Sequence, residues 1–239
     1  MKEILIVANW KENKTAGEAS EWLEKFRSSV NNQQLAINNV VICPSFVVLP
    51  VMAYEISKLE NVKLGAQDVS KFEEGQYTGE VSAKMLADFV SFVIVGHSER
   101  RRFFGETDED VAAKSILALK YGLVPIICVS NVEEAGRWKV ETRKEARGLK
   151  PERAVFVYEP VEHISTGGDF HPDDPEHANL MAKKIKAEVG QNIRVLYGGS
   201  VSAENVKSFV SQSDISGVLV GRASLDAKEF SQIVKLLHC

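Results

Sequence analysis

The 239-residue chain is poor in several things, and each absence excludes something. It has three cysteines, Cys43, Cys128 and Cys239, too few and too scattered for a disulfide framework. Cys43 and Cys128 close apolar runs, which reads as buried, reduced thiols in a cytoplasmic protein. No apolar run approaches the length of a membrane span. The opening Ile4-Leu5-Ile6-Val7 is too short for a signal-peptide core and no small-residue cleavage pattern follows it, so it reads as a first strand. Neither sign of charge is in excess: 29 Lys and Arg against 33 Asp and Glu leave −4. That balance gives no global electrostatic reason to bind nucleic acid or an anionic membrane. No Pro/Gly/Ser tract or block of charge divides the chain, so residues 1–239 are expected to form one domain. A 44% hydrophobic and 26% charged composition excludes a disordered tail, a collagen repeat and a coiled coil.

What is present is a regular alternation. Eight short apolar runs recur: Ile4–Ala8, Val40–Cys43, Val62–Ala66, Phe92–Val95, Val124–Val129, Ala154–Tyr158, Arg194–Tyr197 and Gly217–Val220. Most are apolar throughout, as suits parallel strands covered on both faces. Helical patterns are predicted over Ala19–Val30, Ser45–Leu59, Ser82–Phe89, Val111–Tyr121, Val132–Leu149, Pro175–Val189, Ala203–Val210 and Phe230–Leu237. Thr107 before Asp108-Glu109-Asp110, and Ser202 before Ala203-Glu204-Asn205, read as helix N-caps. Eight strands alternating with eight helices point to the α/β class and to a closed (β/α)8 barrel. An open doubly wound sheet normally carries a G-x-G-x-x-G turn after its first strand, whereas here Asn9-Trp10-Lys11 follows.

In such a barrel the active residues sit at the C-terminal ends of strands. Those positions hold Asn9 and Lys11, Gly96-His97-Ser98-Glu99-Arg100, Glu159-Pro160, Gly198-Gly199-Ser200 and Gly221-Arg222. Singly, a strand-end lysine is usually solvated and a lone histidine usually structural. The barrel topology would converge all of them on one rim. Small residues let backbone N–H groups approach an anion, and the turns after strands seven and eight are common phosphate sites. With Lys11, the cleft reads as a receptor for a small phosphorylated metabolite.

These residues resemble those of triosephosphate isomerases over nearly the whole chain. The likeness rests on Asn9-Trp10-Lys11, Gly65-Ala66-Gln67-Asp68, Thr78-Gly79-Glu80-Val81-Ser82-Ala83 and Gly96-His97-Ser98-Glu99-Arg100-Arg101. It continues through Phe104-Gly105-Glu106, Tyr158-Glu159-Pro160-Val161 and Tyr197-Gly198-Gly199-Ser200-Val201. The resemblance implies an isomerase of glycolysis and gluconeogenesis that interconverts dihydroxyacetone phosphate and glyceraldehyde 3-phosphate through an enediolate. Glu159 would be the base, His97 the electrophile and Lys11 the electrostatic stabiliser. Asn9, Lys11, Ser165, Gly167, Gly198, Gly199, Ser200, Gly221 and Arg222 would bind substrate. Pro160, Val161, Glu162, His163, Ile164, Ser165, Thr166, Gly167 and Gly168 would form a lid. No metal and no organic cofactor is expected. Thr78, Gly79 and Glu80, in the long segment after strand three, would contact a second subunit and so imply a homodimer.

The likeness breaks around the lid. The family pattern Trp-Ala-Ile-Gly-Thr-Gly-Lys is here Glu162-His163-Ile164-Ser165-Thr166-Gly167-Gly168. Strand five ends in Cys128-Val129-Ser130-Asn131 instead of Cys-Ile-Gly-Glu. In the family that glutamate pairs with the hinge tryptophan, and both are absent here, so a substitute contact between Asn131 and Glu162 is expected. Arg222 replaces a second glycine, with its side chain expected in solvent and its N–H in the phosphate turn. The polar stretch Asp169–His177 reads as a loop and helix start, and not as a metal site. Another phosphosugar isomerase or epimerase on the same barrel, or a catalytically weakened barrel serving as a binding protein, are the alternative readings.

Overall fold

The computed structural model describes residues 2–30, 39–145, 149, 151–160, 163 and 171–237. Eight strands, β1 (Leu5–Asn9), β2 (Asn39–Cys43), β3 (Val62–Ala66), β4 (Phe92–Val95), β5 (Val124–Val129), β6 (Val155–Tyr158), β7 (Arg194–Tyr197) and β8 (Ile215–Val220), close into a barrel in sequence order. All pairs are parallel, and β8 returns to β1 with Leu5 opposite Gly217. The described helices are α1 (Ala16–Ser29), α2 (Leu49–Ile56), α3 (Ala83–Leu86), α4 (Ser98–Phe104), α5 (Asp108–Lys120), α6 (Val132–Glu145), α7 (Pro175–Val189), α8 (Val206–Val210) and α9 (Ala227–Leu236).

Side-chain alternation explains why the runs are apolar throughout. Leu5, Val7, Val41, Cys43, Phe92, Ile94, Ile126, Cys128, Val155, Val157, Leu196 and Leu219 fill the barrel. The residues between them, such as Ile6, Ile42, Val93, Ile127, Phe156 and Val218, pack outward against the helices. Both faces of the strands are therefore buried over most of their length, with Lys63 of β3 an exposed exception. On the outside Trp22 stacks on Phe26 at 5.1 Å and meets Trp10 edge-on at 4.8 Å, tying α1 to the end of β1.

Of the two expected helix caps, Thr107 holds and Ser202 does not. Thr107 and Asp110 form a capping box at α5, as do Thr15 and Glu18 at α1. Ser202 does not open a helix over Ala203–Val210. Its Oγ accepts from the Glu204 N–H in a turn, and α8 begins only at Val206. Asn131 is an unforeseen cap: its side-chain oxygen accepts the Glu134 N–H at 2.9 Å, and Glu134 reaches back to the Ser130 N–H at 2.8 Å. Helix α4 was not predicted from periodicity, because none of its residues is buried and its only large apolar side chains, Phe103 and Phe104, are exposed.

Candidate active site

The strand period places the site. Two residues beyond the last inward side chain of each strand lie the next inward positions: Asn9 after Val7, Gly96 after Ile94, Glu159 after Val157, Gly198 after Leu196 and Gly221 after Leu219. The polar and glycine residues at the strand ends thus continue the interior face onto the C-terminal rim. A cavity of about 460 Å³ opens there, with Lys11, His97, Glu159, Gly198–Ser202, Gly221, Arg222 and Glu229 in its wall. A second, of about 630 Å³, adjoins it through Lys11 and His97 and includes Asn9, Gln67, Phe46, Phe103 and Phe104.

Lys11 is held in an uncommon conformation. Its φ of 52° is left-handed, which costs a non-glycine residue about 1–2 kcal/mol. Three hydrogen bonds impose it. The Lys11 N–H donates to Asn9 Oδ1 at 3.1 Å, and Gln67 Nε2 donates to the carbonyls of Lys11 and Cys43 at 2.9 Å each. The ammonium pairs with Glu99 Oε1 at 2.6 Å.

His97 caps α4: its Nδ1 accepts the Glu99 N–H at 3.2 Å. A neutral ring in that position carries its proton on Nε2, which lies 3.1 Å from Glu159 Oε1. The Glu159 side chain is 3% exposed. Its carboxylate also accepts from the Ser98 N–H at 3.0 Å and the Ser98 Oγ–H at 2.9 Å. Cys128 lies on the neighbouring strand, where burial and then the charge of Glu159 push its thiol well above the ordinary range. That thiol is not poised as a nucleophile.

The two glycine turns reach this trio. A Cβ on Gly198 would stand 2.3 Å from Val157 Cγ1, so only glycine allows β7 to pass so close to β6. A Cβ on Gly221 would stand 3.5 Å from Lys11 Cε, which brings the turn after β8 beside the ammonium. Ser200 is buried, and both its N–H and its Oγ–H donate to the carbonyl of His163, at 2.9 and 3.0 Å. Arg222 is exposed at the cavity wall, where its charge opposes the upward push of burial and Asp226 on the Glu229 carboxyl.

Lys11, His97, Glu159, Gly198, Gly199, Ser200, Gly221 and Arg222 therefore share one cavity, and Asn9 adjoins it. Val161, Glu162, Ile164, Ser165, Thr166, Gly167 and Gly168 lie outside the described residues, as does the Glu162 partner expected for Asn131. Thr78, Gly79 and Glu80 are exposed on a loop closed at its base by the Ser70 N–H donating to Val81 O. Ser98 and Glu99 stand in one motif of the resemblance and Gln67 in another, with no role implied for them there. Glu229 carried no signal at all. Among the described residues no group of three or more His, Cys, Asp or Glu could hold a metal ion.

A carboxylate, an imidazole and an ammonium gathered with two anion-sized turns on this rim mark the protein as a (β/α)8-barrel enzyme. A model of the family described as triosephosphate isomerase matches residues 4–237. The triosephosphate isomerase of Geotalea uraniireducens is 41% identical over 251 residues, covering 98% of this chain and 99% of its own. That of Dictyoglomus turgidum is 40% identical over 254 residues, covering 98% and 100%. That of Thermus thermophilus is 38% identical over 252 residues, covering 99% of each. The chain belongs to the triosephosphate isomerase family.

Proposed function

We propose that the chain interconverts dihydroxyacetone phosphate and D-glyceraldehyde 3-phosphate, with Glu159 as base, His97 as electrophile and Lys11 as stabilising cation. The observation that carries this reading is the convergence of those three side chains on one cavity beside the glycine turns. Glu159 leaves Ser98 to take the carbon-bound proton next to the carbonyl, and returns it to the adjacent carbon. The His97 Nε2–H, fixed by the cap at Nδ1, donates to the oxygen on which charge develops, as in this family's well-known neutral-histidine arrangement. The Lys11 ammonium, oriented by Glu99, adds fixed positive charge. The Ser200 hydroxyl and N–H, with the backbone N–H groups around Gly199, Gly221 and Arg222, receive the phosphate, and Ser165 and Gly167 are assigned to the same group. A positioned carboxylate and fixed donors suffice for this proton transfer.

The same reading includes a homodimer in the cytoplasm. The second cavity has the exposed Phe103 and Phe104 on its wall and opens onto Lys11 and His97, so a partner's Thr78–Glu80 loop would complete the site. Phe72 stacks on Tyr77 at 4.2 Å and stiffens that loop. A coupled assay with each triose phosphate on the native protein and on Glu159→Asp tests the reading. Rapid native turnover, with the aspartate variant slowed roughly 10²-fold by the retreat of its carboxylate, is expected. Absent native turnover, or equal rates in the two proteins, defeats it.

A further inference from the structure

The donors of Ser200 are already spent. Both its N–H and its Oγ–H end on the His163 carbonyl, and Asn205 Nδ2 donates to the Ser200 carbonyl at 2.9 Å. Hydrogen bonds of that length leave neither donor available to an incoming phosphate oxygen. Whatever holds His163 therefore opposes phosphate binding.

His163 is held from both ends. Its N–H donates to Pro160 O at 2.9 Å, directly after Glu159. Its imidazole faces two acceptors: Nδ1 lies 3.3 Å from the His171 carbonyl and Nε2 3.6 Å from Asp173 Oδ1. The Asp173 carboxylate is 5% exposed and is itself anchored. It meets His177 Nδ1 at 2.9 Å and accepts the Asp174 N–H at 2.8 Å, both at the start of α7. The Asp173 N–H donates to the Tyr197 hydroxyl at 2.9 Å, on the strand that leads into Gly198-Gly199-Ser200. A buried carboxylate between two imidazoles is a costly arrangement to keep unless its contacts are all made.

We propose that Asp173, with His163 and His177, is a latch that keeps the His163 carbonyl on Ser200 and so sets the affinity for phosphate. Asp173 touches no reacting atom; it is a positioning residue acting through His163. The latch rests on the reading that Ser200 seats the phosphate.

The test uses Asp173→Asn, which keeps the side-chain shape at α7 and removes the charge facing His163, and His163→Ala, which removes the ring and keeps the carbonyl. The probes are competitive inhibition by inorganic phosphate, KM and kcat for glyceraldehyde 3-phosphate, and turnover of unphosphorylated glyceraldehyde. In both variants the phosphate inhibition constant and KM are expected to fall roughly 3- to 10-fold, the effect of one half-buried charged contact. In Asp173→Asn, glyceraldehyde turnover, which makes no demand on Ser200, is expected to stay constant. The double variant is expected to fall short of the product of the two, because both cut one linkage. Unchanged or weakened phosphate binding in both variants overturns the latch, as does a parallel loss on both substrates. Ser200→Ala separates the two levels of the argument: if it leaves phosphate inhibition intact, the reading of Ser200 fails; if it weakens inhibition while the latch variants change nothing, the latch alone fails.

Discussion

Replacing Lys114 with methionine removes one member of a buried ionic network and tests what holds the end of β4. The Lys114 side chain on α5 is 6% exposed, and its ammonium meets Asp68 Oδ1 at 2.7 Å and Glu106 Oε2 at 2.9 Å. Arg100 binds the same two carboxylates, at 2.9 Å to Asp68 and 2.7 Å to Glu106. Two cations thus balance two anions. The other oxygen of Glu106 accepts the Gly96 N–H at 2.9 Å, next to His97. Methionine keeps an aliphatic stem and leaves one buried negative charge uncompensated. Breaking a buried pair from one side costs about 3–5 kcal/mol. In a chain of this size that loss lowers the thermal midpoint by about 6–20 °C.

The pH dependence follows from the two carboxyls. Burial pushes the Glu106 carboxyl up, but Lys114, Arg100 and the Gly96 N–H outweigh it and hold it below the ordinary range. Its stabilisation is present above the unfolded titration range and is lost as pH falls through the folded one. For Asp68 burial outweighs Lys114 and Arg100, so its carboxyl is raised. Its contribution is present at acid pH and is lost as pH rises through the folded value. Without Lys114 both carboxyls move up, and Asp68 is the first to take a proton in place of the lost ammonium. The deficit of the variant is therefore largest at about pH 7–8 and shrinks toward about pH 4–5. Urea unfolding of both proteins across that range measures it. A deficit below about 1 kcal/mol, or one that is the same at every pH, refutes the reasoning.

Three smaller perturbations bear on other parts of the structure. Thr107→Ala removes the oxygen that accepts the Asp110 N–H at 3.2 Å and should cost about 1 kcal/mol, read as a midpoint about 2–4 °C lower, with Thr107→Ser close to native. Lys11→Met should lower kcat/KM roughly 10²- to 10³-fold in the coupled assay while far-ultraviolet circular dichroism stays native. Phe104→Asp replaces a ring that is 70% exposed beside the second cavity with a charge, and, for the proposed homodimer, sedimentation velocity should show a shift from dimer to monomer. An unchanged dimer there removes that face from the interface.

The barrel was legible because its signal is local. Every strand run coincides with an observed strand to within two residues at either end, and the doubly buried faces are written, for most strands, as apolar runs. The rim was legible for a related reason: charge and glycine appear where each inward series stops. What stayed hidden is what depends on distant partners. Glu106 and Lys114 are eight residues apart on the chain, but Asp68 comes from 46 residues away, and no periodicity predicts that meeting. The side-chain oxygen of Asn131 caps α6, a use that the comparison with the family's hinge pair does not predict. Helix α4 has no buried face, so it leaves no amphipathic pattern to find.

The pairing of the site's polar groups in the folded chain bears on how substrate binds. In the resting structure its polar groups have protein partners: Glu159 has Ser98, Lys11 has Glu99, and Ser200 has His163. Burial explains this, since a buried polar group left unpaired is expensive. Binding a phosphorylated triose is then an exchange of partners, and its free energy is a difference between two paired states. Removing a resting partner therefore affects affinity in the opposite sense to removing the group it holds. Ser200→Ala should raise KM, whereas loosening His163 should lower it. Ser98 is the mixed case, because it holds the Glu159 carboxylate at rest and would also orient it as the proposed base. Its removal should lower kcat through a misplaced carboxylate, leaving KM little changed. A Ser98→Ala variant that binds phosphate more tightly would show that Ser98 belongs with His163, as a partner that substrate must displace.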